Sequence, residues 1–581
     1  MKYLERLKRS LSSTGKSFQR YPLTAIWLVV IAIMNAIELE DSFNNYARFL
    51  FTALTGVMLS VVAQHIYERF STKENQRWLL FGGALVLTAL YFITLPVGRT
   101  FEQVHSIRTM VLLFALFITL IWLPTFKRED RLFHQNFLAI FKGSLTSLLF
   151  SIVLSLGSLA IYISIDNLLF SVDFNNLMHV LNIIWSLFAP LYFLGLVPAN
   201  QDITEDELMT HPFTMPRFLE VLLTFIVIPI VAIYTIILLL YLVVNISGEF
   251  WTDNLLEPML VSYAIAVIVV YLLVLNTEHP ITTLFRKVFP KIMLPIVLLQ
   301  TVASILKIQE LGMTHGRYYV IMFGIFATVT GLIFSFLPPN KNGWLAFVLL
   351  VLSLISVTPP IDAFPVARNN QEARLTDTLN EQGMLVNNEI VAKRDLSIDA
   401  KIKISKSVDY LTQMNFLSDL SYLPDGFSGY YRFEETFGFP MTFSPTDMNF
   451  HESHYAYLGL ADLDVITLDG IEFMLTIRID SNTPASEEKI LDDTYLLLIE
   501  QTESKVTLRL QDKAANDIIT ANLEDMYQNV FVDFNPNVQP TEEDMTHIVE
   551  NDQAVLTMRA LSLEEYDGIY SGEIVVFIDI K

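Results

Sequence analysis

The sequence predicts a membrane-embedded all-α bundle of about 11 transmembrane helices, followed by an exported α+β domain with a β-sandwich-like end. Three observations carry this expectation. Apolar residues make up 52% of the chain and charged residues 17%, against about 25% charge in an ordinary soluble domain. Apolar runs near 20 residues recur through the first 357 positions, long enough to cross a hydrocarbon core of about 30 Å as helices. From about Tyr455 onward the apolar period becomes two, the period of strands.

The apolar runs cover residues 21–37, 47–66, 78–97, 109–123, 145–165, 177–197, 218–244, 256–275, 292–306, 318–337 and 344–357. Basic residues in short loops set orientation. With the N-terminus cytoplasmic, the inside segments hold 18 Lys and Arg and the outside segments hold 5: Arg48, Arg99, Arg108, Lys307 and Arg317. An odd number of spans then places everything after Val357 outside. Residues 1–20 set Leu4, Leu7 and Leu11 against Lys8, Arg9 and Lys16, the pattern of a helix lying on the cytoplasmic leaflet. A signal peptide is rejected, because the first run ends in Glu38-Leu39-Glu40-Asp41 with no small-residue cleavage site. The expected organisation is a cytoplasmic amphipathic segment (1–20), a polytopic membrane domain (21–357), an exported helical collar (358–450) and an exported β-rich domain (451–581).

Charge divides the same way. Residues 1–357 carry a net +2 and residues 358–581 a net −25. Such acidity opposes nucleic acid and anionic lipid as partners of the second part. There is no cysteine, which excludes disulfides, thiolate chemistry and zinc–cysteine sites. Composition also excludes a disordered, collagenous or coiled-coil chain.

After Thr358-Pro359-Pro360 the spacing predicts helices over 371–385 and 402–416. Strands follow. Phe473, Leu475, Ile477 and Ile479 alternate with more polar neighbours, as do Val506, Leu508 and Leu510, then Ile574, Val576, Ile578 and Ile580. Further strand-like runs are 455–460, 494–500 and 554–560. Six or more strands with polar connections predict a sandwich.

Several segments carry a resemblance. Arg317-Tyr318-Tyr319-Val320 opens the tenth run. Pro359-Pro360-Ile361-Asp362-Ala363-Phe364-Pro365-Val366-Ala367-Arg368-Asn369-Asn370-Gln371 follows the last, leading to Leu379-Asn380-Glu381-Gln382-Gly383-Met384-Leu385. Tyr422-Leu423-Pro424-Asp425-Gly426-Phe427 and Phe433-Glu434-Glu435-Thr436-Phe437-Gly438-Phe439 come next. In this order the chain resembles the bacterial membrane protein family called domain of unknown function 4153, over about residues 20–450. The resemblance implies a polytopic membrane protein with a soluble end. It implies no activity and no functional residue.

Ionisable groups within a membrane are functional hypotheses, because a lone charge in hydrocarbon costs several kcal/mol. In this topology Asp166, His179, Glu257, Lys307 and Arg317 fall at outer span ends, with Glu38, Glu40 and Asp41 beside them; His65 and Glu220 fall at inner ends. The first five define a candidate outer-leaflet polar cluster. Its alternative is structural, for instance a pairing of Glu257 with Arg317. Midspan polar groups are neutral: Asn35, Asn182, Gln300, Thr301 and Ser304 suit interhelical hydrogen bonds. Pro190, Pro229 and Pro295 mark kinks, or the broken helices of transporters. His451-Glu452-Ser453-His454, Asp492-Asp493 and Glu542-Glu543-Asp544 lack the spacings of metal sites. No phosphate loop or nucleophile elbow is present, and no cofactor or metal is expected.

Three function classes remain. The first is a non-catalytic envelope protein that senses, binds or scaffolds, with the lipid bilayer and an envelope protein or polymer outside as partners. The second is a transporter or lipid-handling protein. The third is an enzyme resembling polytopic glycosyltransferases, with Glu38, Glu40 and Asp41 as its acids. The loop after the first run is too short to favour the third.

Overall fold

The computed structural model describes residues 15–581, apart from 16, 42–44, 72, 97–102, 129–130, 200–212, 246–255, 418–419, 425–426, 428, 430–431, 444–452, 458–470, 481–484, 493, 503–504, 532–540, 542 and 567–568. Most of the expected N-terminal amphipathic helix, and His451 and Glu452, lie outside the described residues. The chain parts into two compact units: Met1–Asp377 with Ser407–Ser421, and Thr378–Lys406 with Tyr422–Lys581.

The first unit is helical. Among the described residues, nine helices are long and apolar enough to cross a membrane. These are α1 (Pro22–Glu40), α2 (Tyr46–Phe70), α3 (Glu74–Thr94), α4 (Gln103–Trp122), α5 (Phe133–Leu168), α6 (Phe174–Leu196), α7 (Arg217–Val244), α9 (Pro280–Leu311) and α10 (His315–Phe336). Two apolar helices are shorter, α8 (Leu256–Leu273) and α11 (Gly343–Ile355). Each of the eleven apolar runs thus holds a helix, and nine of these helices reach spanning length. Such a series fits a multi-pass membrane protein. Outward-facing side chains such as Leu79, Ile93, Leu156, Ile230 and Leu240 are exposed, as hydrocarbon contact allows. Inside, Leu120, Phe133, Phe285, Val297 and Phe334 share one core, and the rings of Tyr271 and Phe334 stack 3.9 Å apart.

Two helices begin a dozen residues before their apolar runs. In α9 the run is interrupted by Arg286, Lys287 and Lys291, but the helix is not, because straight-chain basic residues are good helix formers. Arg286 turns back to donate to the carbonyls of Leu275 and Thr277, just past the end of α8. In α5 the early turns bury His134 and Asn136, which bond to Asn276 and to the Ile121 carbonyl.

The span prolines have a specific consequence. α6 contains a π turn at Ile184–Phe188 and α7 one at Leu223–Val227, each followed two residues on by a proline, Pro190 and Pro229. Proline lacks an N–H, and its ring crowds the carbonyl four residues back. A locally widened turn accommodates both defects without ending the helix.

Past α11, α12 (Ala363–Glu381) and α13 (Ile398–Gln413) follow. They start earlier than the 371 and 402 expected, because Asp362 and Ser397 supply N-terminal caps, Asp362 accepting from Phe364 N–H and Ser397 from Ala400 N–H.

The second unit is strand-rich. A short antiparallel hairpin pairs β1 (Leu385–Val386) with β2 (Glu389–Ile390). One larger antiparallel sheet runs β3 (Ser453–Tyr457), β10 (Ala554–Tyr566), β11 (Ile569–Ile580), β4 (Phe473–Asp480), with β9 (Thr546–Glu550) also on β10. β10 is long enough to pair with β9 along Val555–Arg559 and with β3 along Ser562–Tyr566. The other sheet is β5 (Ala485–Ile490), β6 (Tyr495–Thr502), β7 (Lys505–Asp512), β8 (Asp517–Asn522) in sequence order. Ile477 and Ile479 of β4, Leu497 of β6, Leu508 and Leu510 of β7, Leu556 of β10 and Val576 of β11 share one core. The two-residue period read from the sequence is therefore the burial pattern, and the two sheets enclose it as a sandwich does.

The segment containing Phe433-Glu434-Glu435-Thr436-Phe437-Gly438-Phe439 also belongs to this unit. Phe433, Phe437 and Phe439 are buried and their rings meet within 6.4 Å. Gly438 ends a short helix at φ +85°, and a Cβ there would lie 2.7 Å from the Lys393 backbone nitrogen. That nitrogen donates to the Phe437 carbonyl, so the backbone cannot retreat without losing a hydrogen bond. Gly438→Ala should cost this unit about 1–3 kcal/mol. A denaturation midpoint equal to wild type would show that the turn has another way to relax.

Candidate functional site

The helical unit holds polar groups in two places built by residues from distant parts of the chain, and in a third set whose members make separate contacts. The first surrounds the segment after α11. Asp362 is fully buried, and its carboxylate accepts from Arg108 of α4 at 2.8 Å and from the Phe364 N–H at 2.9 Å. The Arg108 guanidinium also lies 5.3 Å from the centre of the Phe364 ring. Tyr318 donates to the Ile361 carbonyl and Tyr319 to that of Ser356. Gln371 donates to the Met313 carbonyl and accepts from Ser407. His315 stacks on Phe364, and its backbone N–H reaches the Tyr410 hydroxyl at 3.1 Å. Burial pushes the Tyr410 phenol up to about 12, so it stays neutral and can donate its own proton to His315 Nδ1, 3.1 Å away. Val104, Tyr318, Phe364, Ala367, Tyr410 and Met414 close the apolar interior of this platform. The quoted segments Arg317–Val320 and Pro359–Gln371 therefore meet in space and fasten α12 and the end of α13 to the spans.

The second place lies near residue 197, where α1 and α5 begin and α2 and α6 end. Arg20 holds Glu68 through two N–H groups, at 2.7 and 2.8 Å, and also donates to the carbonyls of Val197 and Pro198. Arg131, fully buried, donates to the Ala199 carbonyl and to Asn136. Two guanidinium groups thus cap the C-terminal end of α6, where the helix dipole favours cations. Tyr21 and His65, both buried, bond to each other at 3.0 Å. Arg77 bonds Gln64, and Gln64 donates to Glu68.

The third comprises the residues expected at outer span ends. Asp166 accepts from the Val172 N–H and closes the turn after α5. His179 contacts Glu40 at 2.6 Å, linking α6 to the end of α1. Glu257 accepts from Ser304 at 2.8 Å, across the α8–α9 interface. Lys307, one turn beyond Ser304, is buried. Arg317 donates to the carbonyls of Leu311 and Gly312, capping α9. The pairing of Glu257 with Arg317 considered from sequence is therefore replaced, among the described residues, by Glu257 with Ser304 and Arg317 with carbonyls. Of the acids after the first run, Glu40 pairs with His179.

Of the neutral midspan groups, Asn35, Asn182 and Ser304 form interhelical ties, whereas Thr301 donates to the Val297 carbonyl of its own helix. Asn35 donates to Asn182 and Ser186 at 3.1 Å, Tyr46 donates to Asn35, and Asn182 donates to the Ala32 carbonyl. Ser186 sits within the π turn of α6, so this network braces the proline-weakened point. Gln300 differs: it is 2% exposed, and neither of its amide atoms has a hydrogen-bond partner among the described residues.

Sequence reasoning does not reach the Arg108–Asp362 and Arg20–Glu68 pairs. Their members are 254 and 48 residues apart, and no spacing rule links them.

No curated protein and no solved structure matches the chain. The family described as "Domain of unknown function (DUF4153)" matches residues 23–394, a range that contains Glu68, Arg108, Asp362 and Gln371 and leaves out Arg20, Tyr21 and Tyr410. With more than half of its length matched, the chain belongs to the DUF4153 family.

Proposed function

We propose that this protein is a non-catalytic envelope protein whose membrane bundle holds an acidic, strand-rich domain outside the cytoplasmic membrane, where it binds or scaffolds an envelope protein or polymer. The observation that carries this reading is the fastening of the chain as it leaves the last apolar helix. An ion pair to a fully buried aspartate, two tyrosine hydroxyls and a buried glutamine hold α12 to the spans. A simple tether between a membrane anchor and a passive domain needs none of these. The 18-to-5 bias of basic residues supports a cytoplasmic N-terminus, and the net −25 of residues 358–581 suits a cationic or metal-bridged partner outside. On this reading Asp166, His179, Glu257, Lys307 and Arg317 lie toward the outer leaflet.

Fusions after Lys581 test the orientation. A reporter that works only after export should be active there, and one that works only in the cytoplasm should be silent. The reverse pattern would mean an even number of spans and would end the proposal of an exported domain.

A further inference from the structure

One stripe of α9 is exposed along most of its length. Leu284, Leu298, Val302 and Ile305 are exposed on it, at the spacing of a single helix face. Lys287 and Lys291 are exposed on the same stripe, between Leu284 and Leu298. The neighbouring helices set the level of these lysines. Arg286 donates to the carbonyls of Leu275 and Thr277, so this part of α9 lies beside the end of α8. On α10, a Cβ at Gly331 would meet Leu294 at 3.2 Å and Met293 at 3.3 Å, and one at Gly324 would meet Thr301, so α10 runs antiparallel to α9. It ends five residues past Gly331, at Phe336. Those residues rise about 7.5 Å, which brings the end of α10 to a level between Lys287 and Lys291. Both lysines therefore stand where the adjacent helices stop, at the boundary between hydrocarbon and headgroups.

Their charge has no counterpart in the protein. Among the described residues neither ammonium has a hydrogen bond or an ion pair. Arg286, beside them, donates to carbonyls and brings no negative charge. Like charges four residues apart on a helix repel each other, so the pair favours an anion from outside the chain. Cβ atoms at this spacing lie about 5–6 Å apart, and each ammonium carries three donors. Two such groups can converge on one phosphate while their stems lie along the apolar stripe.

We infer that Lys287 and Lys291 hold the phosphate of an anionic membrane phospholipid of the phosphatidylglycerol kind, with its acyl chains along Leu298, Val302 and Ile305. Phosphatidylethanolamine offers the same phosphate, but its own ammonium opposes the two lysines. A soluble anion would gain nothing from the apolar residues that continue the stripe. This goes beyond the anchoring role. It rests on the bundle lying in a bilayer and not on its orientation there.

The test uses the full chain in vesicles of equal phosphatidylglycerol and phosphatidylethanolamine, extracted into mild detergent, with retained lipid counted by native mass spectrometry. Wild type should retain phosphatidylglycerol over phosphatidylethanolamine by about tenfold, and Lys287→Gln with Lys291→Gln should remove most of that preference, as loss of two cations at the headgroup level would. Equal retention of both lipids by wild type overturns the proposal. Lys287→Arg with Lys291→Arg should keep the preference, because the charges stay in place; its loss there would show that charge is not the cause and would overturn the proposal as well. Lys73 and Lys127 are exposed at the start of α3 and past the end of α4. Replacing both with Gln removes the same charge and should leave the preference intact. An equal loss in that variant would mean that lipid retention follows net charge and not this face, which also overturns the proposal. Free glycerol phosphate at the lipid concentration should displace nothing, and displacement would overturn the membrane lipid as the source of the phosphate.

Discussion

Arg108→Ala should destabilise the helical unit by about 3–5 kcal/mol, the range for removing one partner of a buried ion pair. Asp362 has no exposed surface and takes its charged hydrogen bond from Arg108. Without the guanidinium, the carboxylate keeps the Phe364 N–H, which cannot balance a full charge. The Phe364 ring loses its cation contact as well. Removing both charges, as Arg108→Gln with Asp362→Asn, should cost less than Arg108→Ala alone, because no buried charge is left uncompensated. Reversible unfolding in mixed micelles measures both. A single variant within about 0.5 kcal/mol of wild type would mean that water reaches Asp362 and that the platform is not closed. A double variant worse than the single would assign the cost to shape and not to charge.

How much of this is legible in the sequence depends on whether the signal is local. The eleven apolar runs are visible because lipid-facing and core-facing side chains are both apolar, so a spanning helix needs no periodicity. Their ends are less visible, since Arg286 and Lys291 interrupt the hydropathy of α9 without interrupting the helix. The alternation in β4, β7 and β11 is plain because one face of each strand enters the shared core. β5 escapes notice for the opposite reason. It is an edge strand, Ala-Ser-Glu-Glu-Lys-Ile, with exposed charged residues on consecutive positions, as edges that resist aggregation require. Asp362 stands within a quoted segment, but its partner Arg108 reads only as one of five basic residues on the outer side. Pro190 and Pro229 are visible, whereas the π turns before them are not, because bulge and kink share the same local signature. Gln300 reads as an ordinary interhelical hydrogen-bonding group; only the three-dimensional arrangement shows its amide without a partner among the described residues.

At the α6 end the same physics predicts a loss of comparable size. Glu68 is 7% exposed at its side chain and is held by two nitrogens of Arg20. Arg20 also donates to the carbonyls of Val197 and Pro198, groups at a helix end that have no partner within the helix. Arg20→Ala therefore removes the cation from a buried carboxylate, which keeps the Gln64 amide, and frees two carbonyls as well, and about 3–5 kcal/mol of stability should go with it. Arg20→Lys separates the contributions. It preserves the charge but not the fork that grips both carboxylate oxygens, so it should recover part of the loss and not all. Glu68→Gln removes the charge that would be stranded, and in its presence Arg20→Ala should cost clearly less than it does alone. If the two substitutions instead add without coupling, the fork contributes little, and Arg20 acts through the α6 carbonyls. In that case the damage should appear as faster proteolysis after Leu196 with the rest of the bundle intact, because the end of a helix that has lost its caps frays first.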